Sequence, residues 1–196
     1  MSRLVFAAAL GLAAALCGCA STSTPARFHS LVPSDSAAVT TRSASALRVE
    51  VLPVTLPVQV DVPQIVVRLP DDSLRALEHE RWIAPLADEI RAAIALRIDA
   101  VLAAASAPAA ASQPLRVALE VQRFDSALGG AASLQALWSL QLPSGTVLRC
   151  QVNDRQTVAD GPVALVAGHR ALLQRLGDAI GRALRVAAAG GVPACA

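Results

Sequence analysis

Residues 115–124 read Leu-Arg-Val-Ala-Leu-Glu-Val-Gln-Arg-Phe, and this stretch decides the fold. Leu115, Val117, Leu119 and Val121 recur at every second position, with Arg116 and Glu120 between them. A period of two turns one set toward a core and the other toward solvent, which predicts a β-strand with one buried face. Beyond it, Gly129-Gly130 predicts a turn, and residues 133–142 (SLQALWSLQL) alternate again with Leu134, Ala136, Trp138 and Leu140 on one side. Pro143-Ser144-Gly145 predicts a second turn, and residues 146–158 return as another strand. The spacing then changes. Leu165, Leu172, Leu176 and Ala179, joined by Leu173, Ile180 and Leu184, predict one helical face. That helix starts near Pro162, with Asp160 as a possible cap, runs to about Ala188 and stops at Gly190-Gly191.

Upstream, Trp82 to Ala105 also has the helical spacing, with Pro85 suited to the first helical position and a stripe through Leu86, Ile90, Ala93, Ile94, Arg97, Ile98, Val101 and Leu102. Arg27 to Leu31 predicts a first short strand, residues 33–46 a loop, and Leu47 to Val51 a second strand. Pro53 and Pro57 make residues 53–62 extended but irregular. Residues 63–68 and 74–78, joined by Asp71-Asp72, predict a hairpin. The expected class is α/β in the α+β two-layer sense: a mixed β-sheet with two main helices packed on one face.

The first residues predict export. Met1-Ser2-Arg3 is a short basic start, and Leu4 to Leu16 is apolar or small throughout. That run is shorter than the roughly 20 residues a membrane-spanning helix needs, and it suits the apolar part of a signal peptide. Leu16-Cys17-Gly18-Cys19 resembles a lipobox with Cys19 as the lipidated residue, because Cys17 would have bulky Leu16 just before the cut. The expected division is a signal peptide over 1–18, a lipidated Cys19 with a small, polar tether through 27, and one domain over 28–196. Ala20-Ser21 after the cysteine, with no Asp, favours sorting to the outer membrane, periplasmic face.

Composition narrows the function. The formal charge is +2, no stretch is strongly basic, and nucleic-acid binding therefore has no electrostatic footprint. All basic side chains besides His are Arg and Ala is abundant, so an Arg here carries less meaning than in most chains. After loss of Cys17 and lipidation of Cys19, Cys150 and Cys195 remain. In an oxidising compartment they form either a disulfide tying the C-terminal tail to a strand or two independent thiols.

Catalytic patterns are missing from the sequence. It holds no G-x-S-x-G, H-E-x-x-H, phosphate-binding or dinucleotide-binding motif. Glu78-His79-Glu80 has no second His at zinc-ligand spacing and reads as a solvated hairpin end. His29 is isolated, and His169 reads as surface or boundary. No cofactor or metal is expected. Arg81-Trp82 is more distinctive: Trp82 is either core at the helix start or part of an Arg–aromatic contact surface. The proline-flanked residues 56–65 could present an ordered assembly surface, giving Arg81, Trp82, Pro57, Asp61, Pro63 and Gln64 as candidate partner contacts.

These same residues carry a resemblance. Val54-Thr55-Leu56-Pro57, Asp61-Val62-Pro63-Gln64-Ile65-Val66-Val67-Arg68 and Arg81-Trp82-Ile83-Ala84-Pro85-Leu86, in that order, resemble the ABC-type transport auxiliary lipoprotein family. Phe28-His29 stands where that family has an aromatic pair, and Val62 where Arg is common. The Arg123-Phe124-Asp125 strand end and Trp138 resemble later family features. The resemblance implies a non-enzymatic accessory component of a Mce-type lipid-transport system. It further implies a periplasmic Mce-domain protein and ABC transporter components as partners, a homo-oligomer as a possible assembly, and docking at the outer membrane. The alternative from another class is a lipoprotein that regulates an envelope enzyme such as a cell-wall synthase.

Overall fold

A computed structural model describes residues 24–34, 47–104, 114–142 and 144–195. The expected signal peptide, Cys19 and most of the tether lie outside the described residues, as do most of the 33–46 loop and Pro143. In chain order the elements are β1 (Arg27–His29), β2 (Val49–Val51), β3 (Gln64–Arg68), β4 (Leu74–Trp82), α1 (Leu86–Ala103), β5 (Leu115–Ser126), β6 (Ala131–Gln141), β7 (Val147–Thr157) and α2 (Pro162–Ala188). The strands form two mixed sheets, ordered β1-β4-β3 and β2-β5-β6-β7. In each, the short first strand pairs in parallel and the remaining pairs are antiparallel. Among the described residues the fold is α+β with mixed strand pairing and two helices, as expected, the strands dividing into two sheets where one was expected.

β5 shows why a strict alternation could not run its full length. Leu115, Val117, Leu119 and Val121 are buried, but so are Phe124 and Ser126, which are on the other phase. The register passes from Val121↔Ala136 to Arg123↔Gln135, so Gln122 is the extra residue of a β-bulge. A bulge re-aims the following side chains to the opposite face and keeps Phe124 in the core. β6 needs no such correction: Leu134, Ala136, Trp138 and Leu140 are all buried. Beyond the bulge, Arg68 of β3 bonds Asp125 of β5 at 3.0 Å, which ties the two sheets together.

α2 packs on β6 and β7, and α1 packs on α2. Close helix contact is possible because α2 carries glycines at the crossing. A Cβ on Gly177 would lie 2.7 Å from Arg97 Cβ, and one on Gly181 would lie 2.7 Å from a Val101 methyl.

Several boundaries differ from expectation. Residues 82–85 do not belong to the first helix. Trp82 ends β4, and Pro85 is the N-cap, one position before the first helical residue. The return strand of the hairpin runs to Trp82, not Glu78. Asp160 does not cap the second helix end. Gly161 occupies that position with a φ of 99°, and Asp160 accepts only its N–H. Arg97, placed in the apolar stripe by spacing, instead bonds Asp178 across the helix pair at 2.7 and 3.0 Å.

Candidate docking surface

β1 is only three residues long, so a few paired backbone groups cannot by themselves hold it. Charged side chains from three elements do so. Glu80 of β4, buried, accepts from Arg27 and lies 2.5 Å from His29 Nε2. Burial pushes its carboxyl up, but the His29 and Arg27 hydrogen bonds together outweigh that and hold it below its ordinary value. Glu89 of α1, also buried, accepts from Ser30 Oγ at 2.7 Å and Leu31 N–H at 2.6 Å. Arg170 of α2 donates twice to the Ser30 carbonyl, at 2.9 and 2.5 Å. His29 is therefore not isolated, and Glu80 is not a solvated hairpin end.

Immediately outside this clamp lies an exposed surface. Phe28 pairs in register with Arg81, and Gln64 pairs with Arg81 from the other side. Phe28, Arg81 and Gln64 thus form one row across β1, β4 and β3. Ile83 N–H continues the ladder by donating to His29 O at 2.8 Å. Phe28 is 59% exposed and Ile83 58%. Trp82 N–H donates to Pro63 O, which brings the loop of Pro57, Asp61 and Pro63 to this same end of the sheet. Val60 anchors that loop by burial, while Val58 is 86% exposed.

Of the six candidate partner contacts, Trp82 does not reach this surface. Its side chain is turned inward, leaves 5% of the residue exposed and meets Phe124 edge-on with ring centroids 6.4 Å apart. The alternation along β4 that points Arg81 outward necessarily points Trp82 into the core.

The rest of the polar interior is closed. His169 is fully buried, not at a boundary. It stacks on Phe124 with centroids 3.9 Å apart, and its Nε2 lies 2.8 Å from Ser126 Oγ. Burial lowers its pKa to about 3, against a smaller upward pull from Asp125, so the ring is neutral. A Ser–His pair without access to solvent has no route to a substrate. No trio of metal-ligating side chains is assembled among the described residues. Cys150 and Cys195 are disulfide-bonded, their Cα atoms 5.5 Å apart. Among the described residues, no helix is long and apolar enough to cross a membrane.

The sequence profile described as ABC-type transport auxiliary lipoprotein component matches residues 29–181. The chain belongs to this family. Auxiliary lipoproteins of this kind are membrane-anchored envelope components associated with ABC transport. No curated protein matches the sequence. One solved structure, of an uncharacterised protein, has a TM-score of 0.65 at 16% identity and covers 81% of this chain and 98% of its own. Another, from Xanthomonas campestris, has a TM-score of 0.56 at 20% identity and covers 70% and 84%. At those identities the likeness is one of fold.

In this auxiliary lipoprotein two of the motifs that carry the family resemblance meet across the sheet. Pro63-Gln64 and Arg81-Trp82 face each other across β3 and β4. Their separation in sequence conceals that contact. The sequence assigns no role to Glu89 or Arg170; it offers Glu80 only as part of a hairpin end, and Phe28 and Ile83 only as positions in the family resemblance. Glu89 had a detectable signal, since it lies one position before Ile90 on the buried side of the helical stripe. Arg170 had none, because its partner is a backbone carbonyl far away in the chain.

Proposed function

We propose that this chain is a non-enzymatic docking component of a Mce-type lipid-transport system, anchored through Cys19 at the periplasmic face of the outer membrane. Its partner is a periplasmic Mce-domain protein linked to an inner-membrane ABC transporter. The observation that carries the reading is the family's paired motifs meeting on a partly exposed face, where half-buried Arg81 and Gln64 lie beside the loop of Pro57, Asp61 and Pro63. An Arg not held in an ion pair is free to meet a partner, and a proline-stiffened loop loses little conformational freedom on contact; the two together suit a protein interface.

The test is co-purification with a periplasmic Mce-domain protein from the same cell envelope. Arg81→Glu combined with Gln64→Ala should abolish co-purification while leaving the melting temperature close to that of the unmodified chain. Undiminished capture, or capture of a cell-wall synthase in its place, would overturn the assignment.

A further inference from the structure

We infer that Phe28 and Ile83 form a second contact surface, one that seats the domain on the bilayer carrying its own lipid anchor. The inference goes beyond protein docking and rests on acylation of Cys19. The argument starts from chain length. β1 begins at Arg27, so residues 20–27 are all that separate Cys19 from Phe28. Fully extended, that path reaches at most roughly 30 Å. The clamp formed by Glu80, Glu89 and Arg170 transmits this limit to the body of the domain, because it holds residues 27–31 against three separate elements.

The surface at that root has the chemistry of a bilayer contact. Phe28 and Ile83 are large, apolar and more than half exposed, and residue alternation puts them on the same side as Arg81. Arg81 supplies the guanidinium of this face, since alternation turns Arg27 to the other face, where it pairs with Glu80. Glu78 and Asp61 are the acidic neighbours, and both are exposed at the margins. Aromatic and aliphatic side chains flanked by a guanidinium group suit the boundary between acyl chains and phosphate headgroups. Tethering raises the effective concentration of that boundary at Phe28, so even a weak contact would be occupied. The domain then rests on its β1 edge, which leaves the β3 side and the proline loop turned toward a protein partner.

The experiment uses the full mature lipoprotein in vesicles of phosphatidylethanolamine and phosphatidylglycerol. Mass analysis of the N-terminal peptide first reads whether Cys19 is acylated. An environment-sensitive fluorophore is placed at Phe28→Cys, Ile83→Cys or, as a control on another element, Val163→Cys, which is exposed at the start of α2. Labels at 28 and 83 should shift to the blue and be quenched several-fold more strongly by brominated lipid than the label at 163. Equal quenching at all three sites, or water-like emission at 28 and 83 in an acylated protein, overturns the membrane contact. An unacylated Cys19 overturns the anchor and the contact with it. Phe28→Ser in the chain labelled at 83 should weaken that label's quenching several-fold at unchanged acylation of Cys19, and undiminished quenching would overturn a shared contact of Phe28 and Ile83.

Discussion

Two buried titrating side chains act in different pH windows, and this makes them separable. His169 is neutral in the folded chain down to about pH 3, whereas in the unfolded chain it takes up a proton near 6.5. The unfolded state therefore binds more protons between those values, and stability falls as pH drops through that window. The loss amounts to a few kcal/mol by pH 3. Glu80 behaves as a carboxyl whose folded pKa is depressed: its contribution is complete above about 4.5 and disappears as pH falls below that. Thermal unfolding followed from pH 7 to 3 should show a decline starting near 6.5 and steepening below 4.5. His169→Gln should remove the decline above 4.5, and Glu80→Gln only the steepening below it, because the His169 contribution is still being lost down to about pH 3. A slope between 6 and 5 that persists in His169→Gln would show that another group is titrating. At Trp82 the expected effect is one of packing. Trp82→Ala deletes a buried indole against Phe124 and should cost about 3–5 kcal/mol of stability, which is why Arg81 and not Trp82 is the residue to change when binding is tested.

At the scale of elements, the long strands and both helices were legible because each buries one face, and burial leaves a period in the sequence. β6 is the clearest instance, with every second residue buried from Leu134 to Leu140. β1 and β2 also form where the sequence predicts strands, but at three residues each they are shorter than predicted, and what holds β1 lies in residues 50 or more positions away. The boundary between β4 and α1 was misread for a related reason. Trp82 falls at the helical spacing from Leu86, but its place is decided by pairing with β1 and β3, which the local sequence does not record. The candidate surface was half legible. Arg81, Gln64 and the proline loop stand out in sequence, whereas Phe28 and Ile83 become notable only when found exposed. The helix crossing gives a prediction at this scale. Gly181→Ala places a methyl group 2.7 Å from Val101 Cγ1 and should destabilise the domain by about 1–3 kcal/mol through overpacking. Val101→Ala in the same chain should recover much of that loss, and a double-mutant cycle in denaturant measures the coupling. Additive losses would mean that the helices separate freely at this crossing.

Across the whole molecule, both ends of the described chain are fastened to its centre by bonds that span long sequence distances. The C-terminal end is held covalently: the Cys150–Cys195 bridge closes 45 residues that contain all of α2 and returns the tail to β7. Closing a loop of that length restricts the unfolded chain by about 4 kcal/mol in the entropic view. Thiol titration of the unfolded, unreduced protein should find neither cysteine free, and Cys150→Ala with Cys195→Ala should lower stability by about that amount. The N-terminal end is held without covalent bonds, and Glu89 is its critical member. Leu31 is buried, and its N–H has the Glu89 carboxylate as acceptor, as does Ser30 Oγ. Glu89→Ala removes the acceptor and leaves a buried donor unsatisfied, at a cost of about 1–3 kcal/mol. Glu89→Gln keeps an acceptor oxygen and should recover part of it. If the clamp is what joins tether to body, hydrogen exchange in Glu89→Ala should rise first at residues 27–31 and leave β5 and β6 protected. Uniform acceleration across all strands would instead mean that Glu89 supports the core as a whole, and β1 would then be no separate fastening.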